Sequence, residues 1–577
     1  MKSETKNCQN CKHDFVIDTE DFNYYEKIKV PPPTFCPECR TIRRMVWRNV
    51  RSLYRRECSL CKKMLISMYA DDGVSVMCSD CWNGDAWDQF EHAKDIDWSR
   101  DFFSQLRELL MKQPRIFQYR VGTVVNSDYG NSVVNSKDAY MTFSVIDSEN
   151  IMYSESIDKS RDSIDCFTTH ELDQCSWNVC SDKNYNSHFL INSQSNIDSY
   201  FLFDCTNCQH CCLSSNLRNQ SYVFRNEKLS KEVYEEKMSA LELHKRSGWK
   251  KAFHEFLDLM KNAIHRYAQI YSSVNTTGDF IINSKSAFES FDVQNSENIK
   301  YGVRIITSKD IMDCYAVLTG ELEYETLSGS GNGSNQIGCL LCLGSREIQY
   351  SMFCRSSANC FGCVGLKNAQ YCIFNKQYTK EEYTELVSKL KEHMNAMPYI
   401  DKKGRHFTYG EFYPYELSLF GYNETVAQDY FPLNESDAKP KGFNWKNREK
   451  RNYSATKDQF SLPDDIRDVT SDFLKETIEC THKGECDHQC TTAFRLYDRE
   501  LDFYKQKDLP LPDLCPNCRH YQRLEYRNPM RLYKRECTCT ETAHDHSSKC
   551  ANQFETTYAP DRSEKVYCEL CYQKSVL

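Results

Sequence analysis

Cysteines near both ends of this 577-residue chain have the spacing of metal ligands. The first eight form pairs with two residues between partners: Cys8 and Cys11, Cys36 and Cys39, Cys58 and Cys61, and Cys78 and Cys81. Two such pairs can place four thiolates about 2.3 Å from one ion and close a tetrahedral zinc site. The N-terminal residues lack the apolar stretch of a signal peptide, so disulfides are not expected. Two structural zinc sites are predicted, and we favour consecutive pairing over an interleaved, cross-braced one.

The C-terminal segment repeats this pattern. Cys490 to Cys515 has the same 25-residue step as Cys11 to Cys36, and residues 526–537 nearly repeat residues 47–58. The offset predicts a third site and a fourth site, formed by Cys486, Cys490, Cys515 and Cys518 and by Cys537, Cys550, Cys568 and Cys571. Substitute ligands lie nearby: Cys480, His482 and His488 for the third site, and Cys539, His544 and His546 for the fourth. We expect about four structural zinc ions per chain.

Residues 8–40 resemble the probable zinc-ribbon domain family. The resemblance depends on Phe15 after the first pair, the acidic and aromatic stretch 20–25, and the Cys-Pro-x-Cys-Arg ending at Arg40. It implies a freestanding module with consecutive pairing, and a duplicated copy near residues 486–519. The chain as a whole resembles uncharacterised long zinc-ribbon proteins, a likeness that implies no activity.

Arginines follow the second cysteine pair of both copies at helical spacing. Arg40, Arg44 and Arg48 recur at i, i+4 and i+8, as do Arg519, Arg523 and Arg527, so each set predicts a basic stripe along one helix face. Such a stripe suits a nucleic-acid backbone, and Trp47 or Tyr526 could stack on a base. Two alternatives remain open: pairing with the chain's own acidic middle, and contact with a protein partner.

The middle of the chain has a twelve-residue period. Units such as Ser136-Lys-Asp-Ala, Ser148-Glu-Asn-Ile and Ser160-Arg-Asp-Ser return 148 residues later, beginning at Ser284 and Ser296. A unit of this size cannot bury its own apolar face, so stacking into a duplicated β-solenoid is predicted. Helices are expected after Ser230 and Thr379, over Phe102–Leu110, and over Trp249–Tyr271.

The mid-chain cysteines admit two interpretations. Runs such as Cys205, Cys208 and Cys211, or Cys360 and Cys363, could hold a metal cluster, but a ladder of buried thiols is favoured. The glycine-rich stretch 327–338 lacks a Gly-Lys-Ser/Thr ending and predicts a loop insertion rather than a phosphate-binding loop.

The predicted fold class is multidomain α+β: duplicated treble-clef or zinc-ribbon modules at both termini flank a duplicated β-solenoid with amphipathic helices. The predicted segments are zinc ribbons at 1–41 and 42–90, a helical connector at 91–120, a solenoid half at 121–245, a helix at 246–275, a second half at 276–397, an extended strap at 398–479, and a zinc-ribbon pair at 480–577.

The sequence favours a non-catalytic zinc-binding scaffold that docks on RNA or DNA. A structural assembly or protein-interaction component is the first alternative. A β-helix carbohydrate-active enzyme is the second, with Asp147, Asp158, Asp165 and Asp173 as available acids but no pair marked by spacing. No apolar run is long enough to cross a membrane, so an intracellular, cytoplasmic protein is expected. The formal charge of −9 does not by itself identify a partner.

Overall fold

The computed structural model describes residues 2–447, 454–544 and 546–576, and the chain divides into two compact units. The first unit comprises Met1–Gln118, Ala268–Lys446 and Glu555–Thr557. The second unit comprises Tyr119–Tyr267, Asn447–Phe554 and Tyr558–Leu577. Each unit therefore joins a cysteine-rich terminal segment to the half of the middle that lies farther away along the chain.

In the second unit, the strands from Asn131 to Ile164 alternate between two sheets, whose strand pairs are parallel except for the last pair of the larger sheet. The larger sheet contains Arg120–Val121, Asn131–Val134, Phe143–Ile146, Glu155–Asp158, Phe167–His170, Val179–Asp182, His188–Ile191, Tyr200–Phe203, Gln209–Ser215, Ser221–Phe224 and Glu227–Lys228. The smaller sheet contains Lys137–Tyr140, Glu149–Met152 and Arg161–Ile164. The register steps by twelve residues in both sheets, as in Val145 with Ile157 and Ile151 with Ser163.

The first unit contains the other large sheet. Its strands are Ile270–Tyr271, Val274–Ile282, Lys285–Gln294, Glu297–Lys300, Val303–Ile306, Lys309–Met312, Tyr315–Leu318, Glu321–Tyr324, Leu327–Ser330, Ser334–Ile337, Arg346–Gln349, Ala358–Phe361, Gln370–Ile373 and Lys376–Gln377. The segment 327–338 contributes strands, so its prediction as a loop insertion is wrong. One extra residue is absorbed there, since Glu321 pairs with Ser334 while neighbouring registers keep the twelve-residue step.

The polar composition of the middle follows from its backbone. Asn135, Asp147, Asn150 and Asp162 all have φ between 45° and 52°. Asn and Asp tolerate this left-handed region better than other non-glycine residues. Between these turns the inward side chains are apolar: Val145, Ile151, Ile157, Cys166, Leu172 and Cys175 form one buried cluster.

Helices cover the ends and edges of the strands. Those of eight or more residues are Thr19–Ile28, Pro37–Met45, Phe102–Lys112, Lys231–Ala240, Arg246–Asn262, Lys380–Ala396, Asp498–Gln506, Pro516–Glu525 and Glu569–Val576. Ser230 and Thr379 cap their helices as predicted, each accepting a backbone N–H from three residues on. The helix predicted over 249–271 ends at Asn262, because Ile264–Arg266 forms a parallel pair with Lys565–Tyr567.

The terminal segments consist of small hairpins and short helices. The hairpins pair Glu4–Asn7 with Asp14–Ile17, Tyr54–Glu57 with Met64–Ser67, and Ile478–Glu479 with Ala493–Phe494. Short helices at Ser79–Asn83, Val426–Tyr430 and Glu435–Ala438 complete these regions. The chain is thus a mixed α/β protein with large parallel sheets and clustered cysteines near both ends. Across the described ranges, no helix has both the length and the apolar character that a membrane span requires.

Candidate metal centres

Four groups of cysteines could each hold a metal ion. Their sulfur atoms lie within 4.8 Å of one another in each group: Cys8, Cys11, Cys36 and Cys39; Cys58, Cys61, Cys78 and Cys81; Cys480, Cys490, Cys515 and Cys518; and Cys537, Cys550, Cys568 and Cys571. A tetrahedral ion with ligands at about 2.3 Å sets its sulfurs about 3.8 Å apart. The Sγ–Sγ distances of Cys11–Cys36 and Cys61–Cys78 are 3.7 and 3.8 Å. The N-terminal groups are therefore consecutive, and each has tetrahedral dimensions.

The same local hydrogen bond recurs in all four groups. The first cysteine of the second pair donates its backbone N–H to the first sulfur of the group. These bonds are Cys36 to Cys8 at 3.2 Å, Cys78 to Cys58 at 3.3 Å, Cys515 to Cys480 at 3.2 Å, and Cys568 to Cys537 at 3.3 Å. An N–H donor favours the ionised sulfur, which is the form that binds a metal.

The second cysteine pair of each module begins a helix. Cys36, Cys78 and Cys515 are the N-cap residues of Pro37–Met45, Ser79–Asn83 and Pro516–Glu525. The positive end of the helix dipole stabilises a thiolate there. In the second group, burial raises the pKa of Cys58, but backbone N–H groups, including those of Cys61 and Cys78, outweigh it and lower the pKa to about 6. The sulfur of Cys58 is therefore favoured in the ionised form that binds a metal.

The third group differs from the predicted ligand set. Cys480, rather than Cys486, completes the group with Cys490, Cys515 and Cys518. Cys480 accepts the N–H of Cys515, as Cys8 accepts that of Cys36, so Cys480 is the structural equivalent of Cys8. The nine residues between Cys480 and Cys490 form an inserted loop, and the x2 to x4 spacing rule misses a pair interrupted in this way.

Cys486 lies in a second, overlapping group. Its sulfur, the imidazoles of His482 and His488, and the sulfur of Cys518 also lie within 4.8 Å of one another. The predicted fourth group is brought together as expected by offset, with Cys539, His544 and His546 on the loop inserted between its first two cysteines.

The arginine stripe of the first unit is buried against acidic residues. Arg40 bonds Asp313 at 2.9 Å, Arg43 bonds Glu325 and Glu411 at 2.6 Å each, and Arg44 bonds Glu325 at 2.7 Å. Arg40 and Arg44 are each 1% exposed. The helix that follows the first cysteine group is thus joined to the parallel sheet by a buried ionic network.

The second unit contains the equivalent network. Arg519 bonds Asp165 at 2.5 Å and Glu500 at 3.0 Å, and Arg523 bonds Asp165 at 2.6 Å. Asp165 and Asp313 are separated by 148 residues, the repeat distance of the middle. The duplication therefore includes both the helix and its acidic partner.

The aromatic contacts of the stripes are duplicated too. The guanidinium of Arg40 lies 5.2 Å from the ring centre of Tyr301, and that of Arg519 lies 4.5 Å from the equivalent Tyr153. Arg48 lies 5.5 Å from Tyr315, and Arg527 lies 5.5 Å from the equivalent Phe167.

The arginine stripes are therefore paired largely within the protein. Arg40, Arg44, Arg519 and Arg523 are buried and paired, and Arg48 is buried as well. Trp47 packs on Tyr413, and Tyr526 contacts Phe189, so neither ring is presented as a free stacking platform. Pairing with the chain's own acidic middle, one of the alternatives, is what the structure shows. The sequence feature that points to this pairing is that Asp165 and Asp313 occupy equivalent positions in the two halves of the repeat.

The mid-chain thiols line the interior between strands. Cys339, Cys342, Cys354, Cys360, Cys363 and Cys372 belong to one buried cluster. Cys363 donates to the carbonyls of Phe361 at 3.6 Å and Cys372 at 3.3 Å. Cys205 makes the corresponding contacts with Phe203 and Ser214. These cysteines act as small buried side chains that satisfy backbone carbonyls.

The acids considered for catalysis have other partners. Asp165 is enclosed by the Arg519 and Arg523 pairs, Asp158 bonds His170 at 2.7 Å, and Asp173 bonds Arg161 at 2.6 Å. Asp147 is exposed on a turn.

Comparisons of this chain with protein-family models, with curated proteins and with solved structures give no match, so the resemblance to the probable zinc-ribbon family stays a prediction.

Proposed function

We propose that this protein is a non-catalytic structural scaffold in which zinc-bound cysteine modules anchor two β-solenoids. The single observation that carries the proposal is the duplicated buried ionic network. It joins the helix after a cysteine group to an acidic residue of the repeat: Arg40 to Asp313 in the first unit and Arg519 to Asp165 in the second. An arginine that is buried in this way holds the helix against the sheet and is not available to contact a partner at the surface.

The solenoid part of the proposal is supported by the twelve-residue register. Ser136, Ser148 and Ser160 form a ladder in which the hydroxyls of Ser136 and Ser148 accept the backbone N–H of the serine twelve residues on, at 3.0 Å. Ser148 also donates to the carbonyl of Ile146 at 2.7 Å. Such a ladder satisfies turn backbone groups in every repeat, which is the requirement of a stack of coils.

Zinc is the proposed metal because the donor sets are sulfur-rich and tetrahedral. Four thiolates in a closed tetrahedral arrangement suit Zn²⁺ and leave no coordination position for a substrate. The ions would contribute folding energy directly, since the modules otherwise depend on short hairpins and short helices.

The test is a measurement of metal content and stability on the full chain. Purification without chelator should give zinc at four or more ions per chain, and a strong chelator should lower the melting temperature and remove helical circular dichroism from the terminal modules. A protein that contains no bound metal and is unaffected by chelation would contradict the proposal.

The same purified protein can be used to test the alternative function, docking on nucleic acid. Titration with RNA and DNA at several salt concentrations should show weak binding, because the arginines best suited to phosphate are already paired. Tight binding whose salt slope decreases in an Arg40→Ala, Arg44→Ala variant would replace the scaffold with a docking function. Hydrolysis of any member of a panel of polysaccharides would replace the scaffold proposal with an enzymatic function.

A further inference from the structure

Each C-terminal cysteine module carries an inserted loop with the same kinds of metal-binding residues. Between Cys480 and Cys490 the loop supplies His482, Cys486 and His488. Between Cys537 and Cys550 it supplies Cys539, His544 and His546. Both loops contain one cysteine and two histidines, and in both the last histidine before the module's next cysteine follows another candidate ligand by two residues. The N-terminal modules have only two residues at this place.

In the third module, ligand atoms of these loop residues lie within 4.8 Å of the Cys518 sulfur. The sulfur of Cys518 lies 3.8 Å from Cys480 in the four-cysteine group and 3.7 Å from Cys486 in the loop group. Both distances equal the edge of a tetrahedral site with metal–sulfur bonds of about 2.3 Å. Cys518 is therefore a corner of two tetrahedra, as a thiolate that bridges two ions must be.

The histidines of this loop have nitrogen atoms free for a metal. Nδ1 of His482 and Nδ1 of His488 are buried and have no hydrogen-bond partner among the described residues. On the other side of its ring, Nε2 of His488 lies 3.3 Å from the carboxylate of Glu525. A carboxylate on the second nitrogen is the usual support of a metal-bound histidine, because it fixes the tautomer that leaves the first nitrogen as ligand.

In the fourth module, both loop histidines also contact cysteine sulfurs, and one of these sulfurs belongs to Cys571. Nε2 of His546 lies 3.5 Å from the Cys571 sulfur, and Nδ1 of His544 lies 3.1 Å from the Cys539 sulfur. A tetrahedral site with mixed nitrogen and sulfur ligands has such edges at about 3.6 Å. Nδ1 of His546 donates to the carbonyl of Ser548 at 2.5 Å, which leaves Nε2 as the ligand atom. Cys571 holds the same place in its module as Cys518.

We propose that each C-terminal module binds two zinc ions, with Cys518 and Cys571 as bridging thiolates. This inference rests on the proposed zinc-stabilised scaffold and makes it asymmetric: the N-terminal modules hold one ion each. In the third module, Cys480, Cys490, Cys515 and Cys518 bind the first ion, and His482, Cys486, His488 and Cys518 bind the second. The chain therefore carries about six ions in place of four.

Charge supports the pair of ions. One zinc ion with four thiolates has a net charge of about −2, whereas two ions with five thiolates and two neutral imidazoles have about −1. The second ion thus lowers the charge of a site whose central sulfur, Cys518, is fully buried. Reducing an uncompensated buried charge stabilises the module.

The experiment is native mass spectrometry of the full chain, purified with zinc and then freed of loosely bound metal. Six ions are expected in the wild type, five in His482→Ala/His488→Ala, five in His544→Ala/His546→Ala, and four in the combined variant. His254→Ala, an exposed histidine on the helix Arg246–Asn262, is the matched control and should keep six.

The outcomes separate this inference from the proposed function. Four ions in the wild type, unchanged in the histidine variants, would overturn the binuclear sites and leave the scaffold proposal intact. A wild-type chain without bound ions would contradict both the binuclear sites and the proposed scaffold. Because the wild-type count is decisive by itself, a variant that fails to fold does not obscure the result. Cobalt substitution adds a second readout: the histidine variants should lose the part of the visible absorption that comes from mixed nitrogen and sulfur coordination.

Discussion

At the scale of single residues, the arginines after each cysteine group determine how the modules attach. Arg43 has no exposed surface and bonds carboxylates on two separate segments, Glu325 and Glu411. Transfer of such charges from water is costly, and only complete pairing offsets it. Glu411 is satisfied further by the N–H and hydroxyl of Thr34, at 2.8 and 2.6 Å. The network therefore tolerates the loss of a member poorly.

Replacement of Arg43 by methionine tests this dependence. The change leaves two buried carboxylates short of a partner and should lower the free energy of unfolding of the first unit by about 3 kcal/mol or more. Urea denaturation measures the loss. The control is Arg55→Met on the exposed face of strand Tyr54–Glu57, where a change below about 0.5 kcal/mol is expected. Equal midpoints for the two variants would show that the network does not stabilise the fold.

His188 gives the second unit a dependence on pH. Burial lowers the pKa of its side chain from 6.5 to about 3, and the charge of Lys507 adds to this. Its Nδ1 bonds the hydroxyl of Ser176 at 2.8 Å, while Nε2 is buried without a hydrogen-bond partner among the described residues. As pH falls below 6.5 the unfolded chain takes up a proton that the folded chain refuses, so stability falls with falling pH.

Between pH 7 and pH 5.5 this histidine should cost roughly 1 kcal/mol of unfolding free energy. In His188→Phe the part of the slope due to this residue should disappear, whatever the change in stability at pH 7. Urea denaturation at both pH values measures the difference. A His188→Phe protein with an unchanged slope would show that folding does not lower the pKa of this histidine.

At the scale of elements, the serine ladder supplies hydrogen bonds that the short strands alone do not provide. Ser296 donates to the carbonyl of Gln294 at 2.7 Å and accepts the N–H of Ser308 at 3.1 Å. Strands of four residues offer few ladder bonds of their own. The hydroxyls therefore complete the hydrogen bonding at each turn.

Removal of one serine hydroxyl should lower the free energy of unfolding by a measurable amount. Ser296→Ala leaves the buried N–H of Ser308 without its acceptor and should destabilise the first unit by about 1 to 3 kcal/mol. Thermal and urea unfolding give the value. Ser388→Ala, exposed on the helix Lys380–Ala396, should change it by less than about 0.5 kcal/mol. A loss no larger than that of Ser388→Ala would mean that water replaces the hydroxyl.

The elements also show which features a sequence can predict. Cysteine pairs and the twelve-residue period are local patterns, so the metal groups and the parallel register could be anticipated. The burial of Arg40 could not, because its partner Asp313 lies hundreds of residues away. The ligand Cys480 was displaced by a loop insertion whose length no spacing rule describes. The end of the helix at Asn262 depends on a strand, Lys565–Tyr567, that comes from the far end of the chain.

At the scale of the whole molecule, each cysteine-rich segment belongs with the distant half of the repeat. Residues 1–118 share the first unit with residues 268–446, and most of residues 447–577 share the second with residues 119–267. Metal binding at one end of the chain would therefore be coupled, through the arginine helix, to strands that are remote in sequence.

Loss of one metal site should reveal this pairing. Cys36→Ser removes a ligand at the start of helix Pro37–Met45, which carries the arginines that bond Asp313 and Glu325. Hydrogen exchange should rise about tenfold or more in residues 303–337 and stay unchanged in residues 143–203. Cys515→Ser should give the mirror result, with faster exchange in residues 153–191, because Arg519 and Arg523 hold Asp165. If each variant instead loosened the strands closest to it in sequence, the modules would stabilise their neighbours along the chain, and the coupling through buried arginines would be wrong.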